Sequence, residues 1–324
     1  MSKAIRIHET GGPEVLRWEE FDPGAPGEGQ VSVRHTAIGV NYIDSYHRTG
    51  LYAVPLPSVL GVEGAGVVEA VGPGVTNFRV GERVAYAGGP PGAYSERRVI
   101  AAAHLVHLPE NIGDQDAAAM LLQGLTVHSL IHRTYPVKKG DTVLWHAAAG
   151  GVGLIACQWL KALGVTVIGT VSSDEKAELA RANGCTHTIV YTRENFSERV
   201  RELTGGSGVP VVFDSVGKTT WEGSLDSLSP LGMMVSFGNS SGVVPPFGVG
   251  QLAAKGSLFL TRPVLGTYMA KREDLKKAAA ALFDVVSSGK VQVKANQLYA
   301  LKDAELAHRA LEARKTTGAT VLTP

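Results

Sequence analysis

Residues 145–164 read WHAAAGGVGLIACQWLKALG, and three of four successive positions in this stretch, 150, 151 and 153, are glycine. The glycines follow an apolar run typical of a strand and precede apolar residues at helical spacing. Because glycine lacks a Cβ, phosphate oxygens can closely approach the backbone N–H groups and the positive end of the helix dipole. Ala148 replaces the first glycine of the pattern G-x-G-x-x-G, so the motif is only partly met. The stretch nevertheless predicts a pyrophosphate-binding turn.

Strand-like and helix-like stretches alternate around this turn. Short apolar runs such as TVLWHA (142–147), VTVIGTV (165–171) and VPVVFDSVG (209–217) are typical of strands, and helical spacing occupies the segments between them. Because such alternation places successive strands in parallel, we expect a doubly wound sheet with helices on both faces.

The first part of the chain has a different texture. Residues 1–110 are rich in glycine and proline, and alternating runs such as QVSVRHTAIGV (30–40) predict small antiparallel strands joined by tight turns. SLFLTRP (257–263) predicts a last strand at a sheet edge, and ATVLTP (319–324) is expected to return to the first domain. We therefore expect a doubly wound domain inserted into a mostly β domain.

Composition limits the classes of protein to which the chain can belong. Its 324 residues suit two domains, 44% are hydrophobic and 19% charged, and the net charge is +1. No signal-peptide core and no apolar run of about 20 residues occurs, so we expect no membrane partner and a cytoplasmic location. The balanced charge and an aromatic share of 6% predict no nucleic-acid partner. The two cysteines, Cys157 and Cys185, have no paired spacing.

The end of the second predicted strand indicates which dinucleotide binds. A dinucleotide without a 2′-phosphate is usually held there by an Asp or Glu that accepts from the ribose hydroxyls. Here VTVIGTVSS ends at Ser173, and the first carboxylate, Asp174, already belongs to the next predicted helix. The hydroxyls of Ser172 and Ser173, followed by Lys176, favour a 2′-phosphate, because charge-assisted hydrogen bonds stabilise it. The sequence therefore favours NADPH over NADH.

Five segments carry a resemblance to a known family: GDTVLWHAAAGGVGLIACQWLK, GVEGAGVVEAVG, AIGVNYIDSYHRTGLY, VSFGNSSG and LTRP. Together they resemble the quinone oxidoreductase (zeta-crystallin-like) family of the medium-chain dehydrogenase/reductase superfamily, over essentially the whole chain. The resemblance implies an α/β fold with a GroES-like, mostly β catalytic domain (1–123 and 263–324) and a doubly wound Rossmann parallel-sheet domain (124–262). It also implies a homodimer, for which the edge strand SLFLTRP is available.

The same resemblance implies the residues that contact the cofactor. Around the nicotinamide, the pyrophosphate, the 2′-phosphate and the loops after the later strands, these are Asn41, Tyr42, Ile43, Asp44, Tyr46, Gly150, Gly151, Val152, Ser172, Ser173, Lys176, Tyr191, Phe237, Gly238, Asn239, Ser240, Ser241, Pro263, Val264, Leu265 and Arg314. The resemblance also implies that Arg262 is a neighbour of the cleft. Tyr46 and Tyr52 are candidates for the substrate pocket, where a phenol can donate to a substrate oxygen; packing is their alternative role. Gln123 departs from the lysine that precedes GLT in bacterial relatives.

No metal site is expected. Zinc alcohol dehydrogenases of the superfamily carry Gly-His-Glu where this chain has Gly61-Val62-Glu63, and their first cysteine ligand falls near Asn41. Tetrahedral zinc needs three or four converging donors, which the chain does not supply at that place. The spaced histidine pairs have no obvious third ligand, so we expect surface or hydrogen-bonded roles for His128 with His132 and for His104 with His107.

The resemblance implies an NADPH-dependent quinone reductase that works without zinc. A quinone accepts charge on a phenolate-type oxygen, and phenols have a pKa near ~10, so hydride transfer to a quinone can proceed with modest hydrogen bonding. Two alternatives remain at this stage. A reductase of activated C=C bonds shares the fold and the cofactor but requires a proton donor. A binding protein, such as a crystallin or an RNA binder, is disfavoured by the retained cofactor residues.

Overall fold

The computed structural model describes residues 2–324. In chain order the strands are β1 (Ser2–Ile7), β2 (Arg17–Phe21), β3 (Gln30–Val40), β4 (Ser58–Val59), β5 (Glu63–Val71), β6 (Arg83–Ala87), β7 (Arg97–Ala101), β8 (Leu105–His107), β9 (Thr142–Trp145), β10 (Thr166–Val171), β11 (His187–Val190), β12 (Val209–Asp214), β13 (Leu228–Ser236), β14 (Phe259–Thr261), β15 (Ala295–Ala300) and β16 (Ala319–Thr323). The helices are α1 (Tyr42–Arg48), α2 (Asp114–Ser129), α3 (Gly151–Ala162), α4 (Asp174–Ala182), α5 (Phe196–Leu203), α6 (Trp221–Asp226), α7 (Gly250–Ala254), α8 (Leu265–Tyr268), α9 (Arg272–Ser287) and α10 (Ala304–Glu312).

The chain divides into two compact units. Unit 1 contains residues 1–123, 269–287 and 293–324, and unit 2 contains residues 124–268 and 288–292. This division differs from the predicted domain bounds at residues 263–268 and 288–292, which the contacts assign to unit 2. The bounds of the functional domains stay a prediction.

Unit 1 is built from two sheets. Strands β2, β1 and β4 form an antiparallel sheet, and the larger sheet has the order β15-β16-β3-β5-β6-β8, with β7 also paired to β3. The C-terminal strand β16 runs antiparallel to β3, as Val321 pairs with Gly39, so the chain returns to this unit as the sequence predicts. Buried aliphatic and aromatic residues such as Ile38, Leu60 and Tyr94 fill the core. The predicted GroES-like, mostly β fold is confirmed.

Unit 2 holds one parallel sheet with the strand order β11-β10-β9-β12-β13-β14. Counted within the unit, this is the order 3-2-1-4-5-6 of a doubly wound dinucleotide-binding fold. The order reverses between β9 and β12, and ligands of such sheets bind beyond the carboxyl ends of the strands at that point. The predicted Rossmann domain is therefore confirmed, and β14 lies at the sheet edge as expected.

The sequence predicted only strands and turns in the first part of the chain, but the structure also has helix α1 there. Asn41 precedes it in an extended conformation, and its backbone N–H donates to the Asp44 Oδ2 atom at 2.9 Å. An Asn with an Asp three positions later is a start signal for a helix, so the segment NYIDSYH itself indicates where α1 begins.

Among residues 2–324, no helix combines the length and the apolar character that crossing a bilayer requires.

Candidate functional site

The glycine turn lies where β9 ends and α3 begins, at the reversal point of the sheet in unit 2. Ala147 has a left-handed φ of 54°, and the Gly150 N–H donates to the Ala147 carbonyl at 2.9 Å, which closes the turn. A Cβ on Gly153 would lie 2.4 Å from that carbonyl, so only glycine lets the helix start this close to the turn. The first intrahelical bond runs from the Leu154 N–H to the Gly150 carbonyl at 2.8 Å, so the N–H groups of Gly151, Val152 and Gly153 have no acceptor within the helix and suit a phosphate.

The structure explains why alanine occurs in place of the first motif glycine. Ala148 is fully buried, and its Cβ lies 2.6 Å from the position that a Cβ on Gly169 of β10 would take. The missing side chain on Gly169 therefore makes room for the Ala148 methyl group. Sequence reasoning missed this exchange because Ala148 lies in the turn after β9 and Gly169 on β10, 21 positions further along the chain.

A buried polar network holds the strand ends beneath the turn. His146 Nδ1 lies 2.8 Å from Thr170 Oγ1, and His146 Nε2 lies 2.9 Å from Ser224 Oγ, which itself donates to Asp214 Oδ2 at 2.8 Å. Burial lowers the pKa of His146, with Asp214 acting in the opposite direction, so the imidazole stays neutral. The network joins the ends of β9, β10 and β12 to α6 and so fixes the base of the turn.

The residues predicted around the 2′-phosphate converge at the start of α4. Ser173 caps the helix, and its Oγ accepts from the Lys176 N–H at 3.3 Å. Beside them, the Tyr191 N–H donates to the Val171 carbonyl at 3.1 Å, so Tyr191 continues β11 next to the end of β10. The structure thus brings Ser172, Ser173, Lys176 and Tyr191 to one edge of the sheet, where they fit the extra phosphate of NADPH. Their contact with the cofactor stays a prediction.

The loop after β13 packs on the loop after β12. The Ser241 N–H donates to the Val216 carbonyl at 2.9 Å, and a Cβ on Gly238 would lie 2.3 Å from the Ser215 carbonyl. Arg262 Nη1 reaches the Gly238 carbonyl at 3.2 Å. The segment after β14 therefore begins beside this loop. Unit 2 holds all of the predicted contacts on these two segments, which are Phe237, Gly238, Asn239, Ser240, Ser241, Pro263, Val264 and Leu265.

In unit 1, the predicted aromatic residues lie on α1, which carries Tyr42 and Tyr46, and just after it, at Tyr52. Tyr46 and Tyr52 form an edge-to-face pair with ring centroids 5.3 Å apart, and Tyr42 lies 6.2 Å from Tyr46. The Tyr42 hydroxyl donates to the Leu311 carbonyl at 3.1 Å. Tyr46 and Tyr52 are both half-buried, so packing and substrate contact are compatible roles for them. Their place in a substrate pocket stays a prediction.

Asn41 holds a buried glutamate. The Asn41 amide donates to Glu63 Oε2 at 2.7 Å, and the Leu122 N–H donates to Glu63 Oε1 at 2.8 Å. Glu63 is fully buried, and burial raises the pKa of its carboxyl to about 8, while the bond from Asn41 acts against this shift. Asn41, near the position of the zinc family's first cysteine ligand, thus donates to Glu63, which stands at the glutamate of that family's Gly-His-Glu motif.

Asp44 belongs to a second buried chain of polar groups. The Tyr94 hydroxyl donates to Asp44 Oδ2 at 3.0 Å and lies 3.0 Å from His308 Nε2, whose ring neighbours Ser45. Burial raises the pKa of Asp44 to about 7, whereas burial lowers the pKa of His308 to about 3. These contacts fix the side that α1 presents to the core of unit 1, which supports a structural role for Asp44. The predicted neighbour Ile43 lies within the same helix.

Two further predicted positions lie in unit 1. Gln123 is 7% exposed, and within residues 2–324 its buried Oε1 has no hydrogen-bond partner, so an acceptor is available there. Arg314 follows α10 with a left-handed φ of 57°. Its contact with the 2′-phosphate stays a prediction.

Three of the four spaced histidines pack against aromatic rings or an acid. His128 and His132 lie 5.0 Å apart beside Trp159, and His107 Nε2 lies 3.0 Å from Glu82 Oε2. Over residues 2–324, no group of three or more His, Cys, Asp and Glu side chains is arranged to hold a metal ion.

The buried state of Glu63 predicts a pH-dependent stability. Its pKa is 4.5 ordinarily and about 8 in the fold, so folding takes up a proton between these values and stability falls as pH rises through them. In Glu63→Gln, which stays neutral, we expect this loss to disappear, so that the variant gains about 2 kcal/mol on wild type from pH 6.5 to pH 8.5.

Urea unfolding at several pH values measures this difference. The comparison is best made above pH 6.5, where His35 and His308, with pKa values of about 4 and about 3, are neutral. Parallel stability curves for the two proteins across that range would contradict a protonated Glu63.

Comparison with known proteins agrees with this architecture. The family model of the alcohol dehydrogenase GroES-like domain matches residues 27–110, and that of the zinc-binding dehydrogenase matches residues 151–284. A quinone oxidoreductase of Pseudomonas aeruginosa is 55% identical, with all of both chains covered. A 2-haloacrylate reductase of Burkholderia is 48% identical over 100% of this chain and 99% of its own. The crystal structure of Escherichia coli quinone oxidoreductase complexed with NADPH has a TM-score of 0.98 at 50% identity, covering 99% of this chain and 100% of that one.

The fold and these matches define an oxidoreductase with a GroES-like domain and a dinucleotide-binding Rossmann domain. Within that class, the chain belongs to the quinone oxidoreductase family of medium-chain dehydrogenases/reductases, which confirms the resemblance seen in the sequence.

Proposed function

We propose that this chain is an NADPH-dependent quinone reductase. The observation that carries the choice of cofactor is the end of β10, where hydroxyls and Lys176 stand in place of a ribose-binding carboxylate. Family membership and the NADPH complex of the Escherichia coli relative support the same assignment.

The chain's own residues hold and orient the reactants. The N–H groups at the start of α3 bind the pyrophosphate, and Ser172, Ser173 and Lys176 bind the 2′-phosphate. Bound NADPH supplies the hydride. The Tyr46 or Tyr52 hydroxyl donates a hydrogen bond to the quinone oxygen, where negative charge develops.

The alternative function is reduction of activated C=C bonds with the same cofactor. The 2-haloacrylate reductase of Burkholderia, which is 48% identical to this chain, supports this alternative function. Such a reaction leaves an enolate that must be protonated, so a tyrosine hydroxyl would be needed as the acid.

Following NADPH absorbance with purified protein separates these functions. We expect oxidation with an ortho-quinone or a para-quinone and little with an unsaturated ketone, and NADPH should be used in preference to NADH. Turnover confined to the unsaturated ketone would replace the quinone proposal with the alternative. In that case Tyr46→Phe and Tyr52→Phe would identify the proton donor.

We also propose a homodimer in the cytoplasm. The edge strand β14 leaves its outer side available for pairing, and Phe259 on it is 57% exposed. Both cysteines are free thiols, as a reducing compartment would maintain them. Light scattering during gel filtration measures the mass, and a monomeric mass at micromolar concentration would contradict the dimer.

A further inference from the structure

An ion pair stands at the first residue of α4. Arg193 Nη1 donates to Asp174 Oδ2 at 2.7 Å, and Arg193 Nη2 donates to Asp174 Oδ1 at 2.5 Å, so the guanidinium engages both carboxylate oxygens. The hydrogen bond from Arg193 holds the pKa of Asp174 below its ordinary value, so the carboxylate stays ionised at neutral pH. Such bidentate pairing fixes a planar guanidinium in a defined position.

This pair belongs to the same edge of the sheet as the proposed 2′-phosphate residues. The Thr192 hydroxyl donates to the Ser172 carbonyl at 3.3 Å, which ties the segment carrying Arg193 to the end of β10. Asp174 follows Ser173, the cap of α4, directly in the chain. The carboxylate is therefore beside the place where an anion would bind.

Charge balance at this helix start depends on Arg193. Asp174 and Glu175 begin α4 with two carboxylates, and Lys176 and Arg193 supply two cations. Without Arg193 the balance becomes negative, which opposes a phosphate dianion but not a ribose hydroxyl. A bare carboxylate at this edge is also the group that normally accepts from the 2′-hydroxyl.

We propose that Arg193 is a specificity-determining residue that favours the 2′-phosphate by neutralising Asp174. The inference rests on the proposed use of NADPH. Arg193 acts through Asp174 in this scheme and needs no direct contact with the cofactor, so removing both side chains together should restore the preference that removing Arg193 alone abolishes.

A double-mutant cycle on the full chain tests this scheme, with 2′,5′-ADP and ADP as probes in titration calorimetry. Arg193→Ala should weaken 2′,5′-ADP about three- to tenfold at low salt, and less at high salt, while ADP changes little. The double variant Arg193→Ala with Asp174→Ala should recover 2′,5′-ADP binding to within about twofold of wild type. Lys161→Ala, which removes one exposed positive charge from the last turn of α3, is the matched control and should match wild type.

Each other outcome has a defined meaning. Equal losses for the two probes in Arg193→Ala, or the same loss in Lys161→Ala, would overturn a role in specificity. A double variant as weak as Arg193→Ala would overturn the action through Asp174. A wild-type protein that binds both probes equally would instead contradict the proposed use of NADPH, and the inference would fail with it.

Discussion

Replacing Lys176 with alanine is expected to weaken NADPH binding by about 10- to 100-fold and to leave NADH binding within about twofold of wild type. A charge-assisted hydrogen bond contributes about 1.5–3 kcal/mol, and this one exists only when the 2′-phosphate is present. Lys176 lies in the first turn of α4, where the helix dipole also favours an anion. Fluorescence titration with each nucleotide measures both dissociation constants.

A control on the same helix separates this local effect from a change in net charge. Arg181 lies in the last turn of α4, about 10 Å from the first residue along the axis, and donates to Thr188 Oγ1 at 2.7 Å. Arg181→Ala should change NADPH binding by less than about twofold. Arg314→Ala, by contrast, should reproduce the selective loss of NADPH. If Lys176→Ala weakened both nucleotides equally, the 2′-phosphate assignment would be wrong.

The architecture of unit 2 was predictable because its signals are local. An apolar run, a glycine turn and a helical spacing follow one another within residues 142–164, and repetition of this pattern implies a parallel sheet. Residues that follow strand ends must lie on one edge of such a sheet, so Ser173, Lys176 and Tyr191 could be grouped from the sequence. The structure confirms this grouping of backbone positions.

The buried polar contacts could not be predicted in the same way. The Tyr94 hydroxyl meets Asp44 across 50 positions and His308 across 214 positions, and neither separation has a local signature. Whether a lone acid such as Glu63 is buried and protonated depends on which distant groups surround it. Ala148 is a further example, because the turn accommodates its methyl group only where Gly169 on the next strand has no side chain.

Asp214→Ala is expected to lower the free energy of unfolding by about 3–5 kcal/mol, because it leaves buried donors without an acceptor. The Asp214 carboxylate is fully buried and accepts from the Val216 and Gly217 N–H groups at 2.7 and 3.0 Å. It also accepts from the Thr220 and Ser224 hydroxyls at 2.7 and 2.8 Å. Urea unfolding followed by tryptophan fluorescence measures the loss.

The same change is expected to weaken NADPH binding although Asp214 is buried. The Phe237 N–H donates to the Asp214 carbonyl at 2.7 Å, so the loop predicted to contact the cofactor rests on the segment that the carboxylate orders. A fall in affinity measured under conditions where the variant is still folded would show this coupling.

Asp214→Asn is the matched control, because the hydrogen-bond network can reverse its direction. The asparagine Oδ1 can still accept from the Val216 and Gly217 N–H groups, and its amide can donate to Ser224. Ser224 then donates to His146 Nε2, and the other imidazole nitrogen donates to Thr170, which requires only the second neutral tautomer. We therefore expect a loss of about 1 kcal/mol. If Asn and Ala at this position destabilised the protein equally, the charge of Asp214, and not its hydrogen bonding, would hold the strand ends together.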